Sequence, residues 1–240
     1  MSNPLVCCVM LSDRRREMAR RAIAAFKAQT YANRRLVVFS TTGDYPSEMI
    51  TEPNEEAVSM PSFRGSTIGA LRNVANAEAG LLTDCQAIAH WDDDDWSHPN
   101  RLAEQVALLQ SSGAEAVGYD EMLFWREREE QAWLYTQHSA TVVVGSSLMY
   151  WRKTWERKPF RNTSSGEDLH FCSGLDVTSV SSLDADGEPR MVCSIHGSNT
   201  ASVINPAARE WKRVPEHDDY CRKAMSYERK DSHAAVQAQS

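Results

Sequence analysis

Residues 88–96 read IAHWDDDDW, an apolar run that ends in four consecutive aspartates set between two tryptophans. Neighbouring carboxylates oppose one another's ionisation, so four in a row cost stability unless a cation or solvent absorbs the charge. The stretch therefore predicts a cation site, and its flanks say where in a fold that site lies. QAIAHW (86–91) has the length and apolar content of a buried strand. Beyond the acids, Pro99 suits a first helical turn, Leu102, Val106 and Leu109 make a stripe, and Gly113 closes the helix. The acidic cluster is thus expected in a strand-to-helix loop at the carboxyl end of a strand, where open α/β sheets bind their ligands.

Upstream, the same rhythm recurs. LVCCVML (5–11) reads as a buried strand, and the following DRRREMARRAIAAFKAQT puts Met18, Ala22, Ala25 and Phe26 on one helical face with basic residues opposite. RRLVVFS (34–40) is a second strand, which makes a βαβ unit and implies a parallel sheet with a right-handed crossover. Ser66 or Thr67 can cap a helix carrying Ile68, Leu71 and Ala75 on one face, with Gly80 at its end. Downstream the character changes. GYDEMLFWRE, QAWLYTQ and TVVVGSSLMYW are rich in aromatic and β-branched residues and predict an antiparallel extension of the sheet. A short helix over 166–173, a strand over 189–196 and a polar tail complete the chain.

The composition sets outer limits. At 240 residues and 42% hydrophobic content the chain can build one large core. No run approaches the ~18 apolar residues of a membrane span, and the N-terminus lacks a basic region followed by a long apolar one. Six scattered cysteines show neither zinc-site spacing nor the density of a disulfide framework, so a reducing cytoplasm is the expected compartment. A net charge of −7 argues against a general nucleic-acid binder.

Taken in order, several segments resemble an inverting family 2 glycosyltransferase of the GT-A fold. They are AQTY (28–31) after the first helix, GALRNVANAEAG (69–80), HWDDDDWSHPNRL (90–102), GEDLHF (166–171) and HGSNT (196–200). The resemblance runs from about residue 4 to about residue 202. It implies an α/β, Rossmann-like single domain with a mixed central sheet and helices on both faces: a nucleotide-sugar half over 1–112, an acceptor half over 113–205, and a helical or partly disordered tail over 206–240. It departs at the end of the second strand, VVFSTTGDYP, where Thr41 and Thr42 stand in place of the aspartates that read the nucleobase and Asp44 follows the glycine. Thr41 and Asp44 are then the residues left to meet the base.

The resemblance also implies roles. A nucleotide-diphosphate sugar, with a UDP-sugar the first expectation, would be held through Mn²⁺ or Mg²⁺, whose preferred ligands are carboxylate oxygens, water and phosphate. Asp94 would be the main metal ligand and Asp92 would face the sugar or ribose, with Asp95 assisting and Asp93 solvated. Trp91 and Trp96 would wall the site. His196 would reach the same ion or the diphosphate. Arg72 and Asn73 lie on the preceding helix, and Arg72 would pair either with diphosphate or with the aspartates themselves. Asp168 would be the base that deprotonates the acceptor hydroxyl, with Glu167 supporting acceptor binding; the alternative for Asp168 is to cap its helix.

YWRKTWERKPFR (150–161) interleaves cations with aromatics. Trp151, Trp155 and Arg152 could contact an acceptor there, or the segment is an amphipathic helix with buried tryptophans. The acceptor is expected to be a saccharide, lipid-linked glycan or protein hydroxyl. A hydroxylated base of phage-type DNA is the alternative, which the net charge does not favour. From other classes come a non-catalytic acidic module binding metal or a partner, and a nucleotidyltransferase, in which the Glu-Asp and His-Gly elements have no role.

Overall fold

The computed structural model describes residues 3–137, 142–197, 199 and 204–226. The first half is β1 (Val6–Leu11), α1 (Arg16–Lys27), β2 (Arg34–Ser40), β3 (Glu55–Ser59), α2 (Ile68–Thr83), β4 (Ala87–His90), the two-residue β5 (Trp96–Ser97) and α3 (Arg101–Ser112). The second half is β6 (Ala116–Arg126), β7 (Gln131–Thr136), β8 (Met149–Trp151), α4 (Arg152–Arg157), α5 (Glu167–Cys172), β9 (Val177–Ser181), β10 (Met191–Ile195), β11 (Trp211–Arg213) and α6 (Asp218–Met225).

Among the described residues, eleven strands form one mixed sheet whose main path runs β11-β7-β6-β8-β4-β1-β2-β3. β1 pairs in parallel with both β2 and β4, as the βαβ reading requires. Because helices cover both faces there, β1 is apolar at successive positions rather than alternate ones. Val6, Cys8 and Met10 join α1 and α3 through Ala22, Phe26, Leu102 and Val106, while Cys7 and Val9 join α2 and α5 through Ala75, Ala79 and Phe171. The predicted stripes on α1 and α3 are therefore the core-facing stripes, although Met18 is only half-buried and Arg21 is buried. All six cysteines are reduced and buried.

The helix over 68–83 is capped as expected, Thr67 Oγ1 accepting from the Ala70 amide at 3.3 Å. It runs past Gly80, however, and ends at Asp84 in a left-handed conformation. The second half is antiparallel only in part: β6 pairs antiparallel with β7 and β8 but parallel with β9 and β10. The stretch expected as one strand through 141–151 instead contains a 3-10 turn at Gly145–Ser147 before the short β8, and its first residue lies outside the described residues. Part of the expected tail is structured. β11 pairs with the edge strand β7, and α6 packs Cys221 and Met225 against Leu123, Trp125 and Val192. Residues 227–240 lie outside the described residues. Among the described residues no helix is long and apolar enough to cross a membrane.

Candidate active site

The four aspartates follow β4 at its carboxyl end, as the sequence predicts, and each has its own surroundings. The anchor beneath them is Arg101 of α3, only 1% exposed. Its guanidinium donates to the His90 carbonyl at 2.9 Å, the Ser146 carbonyl at 3.0 Å and Ser97 Oγ at 2.9 Å, and lies 5.0 Å over the Trp91 ring. A buried cation that donates to the carbonyl before the aspartates, to the Ser97 hydroxyl after them and to the Ser146 carbonyl of the 145–147 turn pins the backbone that carries the acids.

Asp93, expected to be solvated, is fully buried and paired with Arg15, which reaches it at 2.5 Å and reaches Asp94 at 2.8 Å. Burial and the adjacent Asp94 push the Asp93 carboxyl upward to about 7, against the opposing pull of Arg15. Asp94 Oδ2 also meets His196 Nε2 at 3.1 Å and Asn199 Nδ2 at 3.4 Å. Burial alone would raise Asp94, but the His196 hydrogen bond and the Arg15 charge outweigh it and hold the carboxyl below its ordinary value. Asp95 accepts from the Ser194 amide at 3.1 Å and the Cys193 thiol at 3.0 Å, and burial together with Asp94 pushes it well above the carboxylate range.

Asp92, Asp94 and Asp95 each offer an oxygen within 4.8 Å of the others. Three carboxylates converging this closely, one of them lifted by burial and by its neighbours' charge, suit a hard divalent cation. His196 approaches the same group through Asp94, and Ser198 and Thr200 of the HGSNT segment lie outside the described residues.

Arg72, 7% exposed, sits between the two halves of the cleft, with Nη2 3.4 Å from Asp92 and Nε 3.7 Å from Glu167. Its Nε and Nη1 make no hydrogen bond among the described residues. Buried guanidinium donors without an acceptor are costly unless an anion completes them. Glu167 is itself buried, and that burial raises its carboxyl.

Asp168 stands next to Glu167 at the start of α5, half-buried, with Oδ1 accepting from the Leu169 amide at 2.7 Å. Its position depends on Gly145, where a Cβ would come within 2.0 Å of Asp168 Oδ2. Gly145 in turn is held through its carbonyl by His90 Nδ1 at 2.7 Å. A carbonyl can only accept, so Nδ1 carries the proton. Burial, then the charge of Arg72, holds His90 well below its ordinary value and keeps it neutral.

Three hollows meet in a row. The acidic one, about 260 Å³, is lined by the four aspartates with Arg15, Arg72, Glu167 and Asp168. A second, about 370 Å³, shares Leu11, Arg15 and Ile68 with it and adds Asp13, Phe39 and Thr41. A third, about 360 Å³, shares Phe124, Val144, Gly145, Gly166 and Asp168 with the acidic hollow and runs out over Tyr135 and Trp211.

The sequence reading missed Asp13. This residue accepts from Ser40 Oγ at 2.5 Å, the Thr41 hydroxyl at 2.6 Å and amide at 3.2 Å, and the Thr42 hydroxyl at 2.7 Å and amide at 2.9 Å. Against its burial, these bonds bring the carboxyl down to about 2. Asp13, in the turn after β1, thus braces the turn at the end of β2, with Ser40 and the two threonines as its partners. Thr41 lines the second hollow, whereas Asp44 points to Arg16 at 3.5 Å and is half exposed.

Other expected residues lie outside the cleft. Trp91 is a core residue, its indole donating to the Ala22 carbonyl at 2.9 Å and packing edge-on against Phe26. Trp96 packs on Tyr220 and His98. Asn73 uses its amide on the Phe160 backbone and the Trp155 indole, tying α2 to the segment after α4. Trp151 donates to the Ala114 carbonyl, and Arg152 pairs with Glu156 and Asp84. Trp151 and Trp155 are half-buried, and these contacts place the stretch outside the cleft.

No family model and no curated protein matches the sequence. Solved structures do match the fold. TarS 1-349 from S. aureus in complex with UDP-GlcNAc superposes with a TM-score of 0.63 at 12% identity, covering 84% of this chain and 62% of that one. Its UDP complex gives 0.61 at 12% identity over 79% and 60%. The mannosyltransferase PcManGT from Pyrobaculum calidifontis, in complex with GDP-Man and Mn²⁺, gives 0.58 at 16% identity over 81% and 57%. The chain has a GT-A-like fold. It spans about 60% of the length of these three structures.

Proposed function

We propose that the protein is a metal-dependent glycosyltransferase that moves a sugar from a nucleoside-diphosphate sugar to an acceptor hydroxyl with inversion. The observation that carries this reading is Asp168, which lines both the acidic hollow and the hollow beyond it. A base placed there can face an acceptor on one side and a donor on the other. The fold neighbours' complexes with UDP, UDP-GlcNAc and GDP-Man support the donor class.

Asp92, Asp94 and Asp95 would hold Mn²⁺ or Mg²⁺, which supplies a Lewis acid for the departing diphosphate. Arg72, two of whose donors lack an acceptor among the described residues, adds fixed positive charge for phosphate oxygens. The hollow around Asp13, Phe39 and Thr41 is the nucleobase end, where Asp13 shapes the 40–42 turn. In the reaction Asp168 takes the acceptor hydroxyl proton as the oxygen bonds to the anomeric carbon. The bond from that carbon to the diphosphate oxygen breaks on the opposite face, and the nucleoside diphosphate leaves with the electron pair. A single displacement of this kind inverts the anomeric centre and forms no covalent enzyme intermediate.

The test is to incubate the protein with UDP-, GDP- and TDP-sugars and Mn²⁺ and follow nucleoside diphosphate release by chromatography. Slow transfer to water from one donor is expected, with NMR showing inverted free sugar and Asp168→Asn suppressing it. Consumption of no donor under any metal condition would count against the reading, and metal binding indifferent to nucleotide would favour an acidic binding module.

A further inference from the structure

Beyond Asp168 the third hollow has a distinct chemistry. Phe124 of β6, Tyr135 of β7 and Trp211 of β11 form a continuous aromatic surface, with ring centroids 6.0 Å apart for Phe124 and Tyr135, 5.0 Å for Phe124 and Trp211, and 4.8 Å for Tyr135 and Trp211. The pairing of β6, β7 and β11 brings the three together, since Met122 faces Tyr135 and Tyr135 faces Trp211 across neighbouring strands. Phe124 is buried beneath, while Tyr135 and Trp211 remain half exposed. Leu169, 53% exposed, adds apolar surface next to Asp168.

Among the described residues lining this hollow, Asp168 carries the only charge, and no lysine or arginine is present. A phosphate-bearing acceptor, such as a nucleic-acid strand, needs cations along its path. A neutral sugar ring needs none: its axial C–H face packs on aromatic rings, and its rim of hydroxyls asks for a few polar groups. Such groups are here. The half-exposed Trp211 carries an indole N–H, and Tyr135 carries a hydroxyl to which Gln137 donates at 3.2 Å.

We infer that this surface is the acceptor subsite and that its occupant is an uncharged saccharide ring, stacked on Tyr135 and Trp211 with one hydroxyl presented to Asp168. This rests on the glycosyltransferase reading and narrows the acceptor to a neutral glycan. Stacking fixes the plane of the ring, and so selects which hydroxyl reaches the base.

The test uses saturation-transfer NMR on the full chain with methyl glycosides of glucose, galactose, mannose and N-acetylglucosamine at millimolar concentration. A short single-stranded oligonucleotide is run alongside, and nucleotide-sugar binding is measured separately by calorimetry. Saturation of protons on one face of at least one glycoside is expected. Trp211→Ala should weaken that binding about tenfold, as loss of a stacking partner does, with donor affinity unchanged and Trp211→Phe restoring most of the loss. Tyr135→Ala provides the same reading if Trp211→Ala melts early. Donor binding without saturation of any glycoside would overturn the acceptor assignment alone, as would saturation that survives both substitutions or that appears only on the oligonucleotide. Loss of donor binding in the wild type would overturn the function reading with it.

Discussion

The acidic hollow and the aromatic hollow lie either side of Asp168, yet they are built on opposite principles. In the first, charge is packed densely and cross-braced: Arg15 holds Asp93 and Asp94, Arg72 spans Asp92 and Glu167, and Arg21 donates to the Asp94 carbonyl at 2.6 Å. In the second, three rings from three strands supply a surface with little polar bracing. Buried charges must be satisfied for the chain to fold, whereas half-exposed rings can be removed with modest loss of packing. Substitutions on the acidic side should therefore reach stability as well as chemistry, and substitutions from Asp168 outward should reach chemistry first.

The largest effect tests that division at its boundary. Asp168→Asn is expected to lower turnover by about 10²–10⁴-fold, the usual worth of a general base, with donor affinity and melting temperature close to wild type. A matching fall in donor affinity would place Asp168 on the donor side instead. Arg15→Ala should show the opposite pattern. Leaving Asp93 buried without its cation should cost about 3 kcal/mol in denaturant unfolding, and Asp93→Asn in the same chain should return much of it.

Gly145→Ala sharpens the boundary without touching a charge. Its new methyl group must displace the Asp168 carboxylate, so turnover should fall on the order of 10²-fold, as misplacement by about an ångström does, with donor affinity retained. The smallest effect is a pH dependence at the turn after β1. Asp13 has a folded value of about 2 against an ordinary 3.8, so its bonds to Ser40, Thr41 and Thr42 contribute stability that is complete above the ordinary value. That contribution is lost as pH falls toward 2. Asp13→Asn should flatten this part of the stability curve and leave the neutral range lower but level.

The same contrast explains what could be read from the sequence. The acidic side was legible because its signals are local: strand, aspartates and helix follow one another over 87–112, and Glu167 with Asp168 opens a short helix. Its bracing was not. Arg15 and Arg21 lie in a basic run that reads as a solvated helix face, and Asp13 finds its partners 27 to 29 residues away across β1 and β2. Trp91 was misplaced because a tryptophan beside charged residues reads as a wall, when the register of β4 turns it inward onto Phe26. The aromatic side was illegible for a topological reason. Phe124, Tyr135 and Trp211 become neighbours only through the pairing of three strands, while the denser aromatic run at 150–161 ties its indoles to Ala114 and Asn73. Gly145 carries no sequence signal at all, since its requirement comes from a carboxylate 23 residues later.

The central claim is that the converging carboxylates hold a metal which in turn holds a nucleotide sugar. Calorimetric titration of UDP- and GDP-sugars into the wild type and Asp94→Ala, each with Mn²⁺ and with chelator, tests it most directly. The account predicts that one donor binds the wild type only with metal, and that Asp94→Ala removes this binding while the folded fraction at the working temperature stays high. Donor binding that is equally strong in chelator, or equally strong in Asp94→Ala, would contradict it.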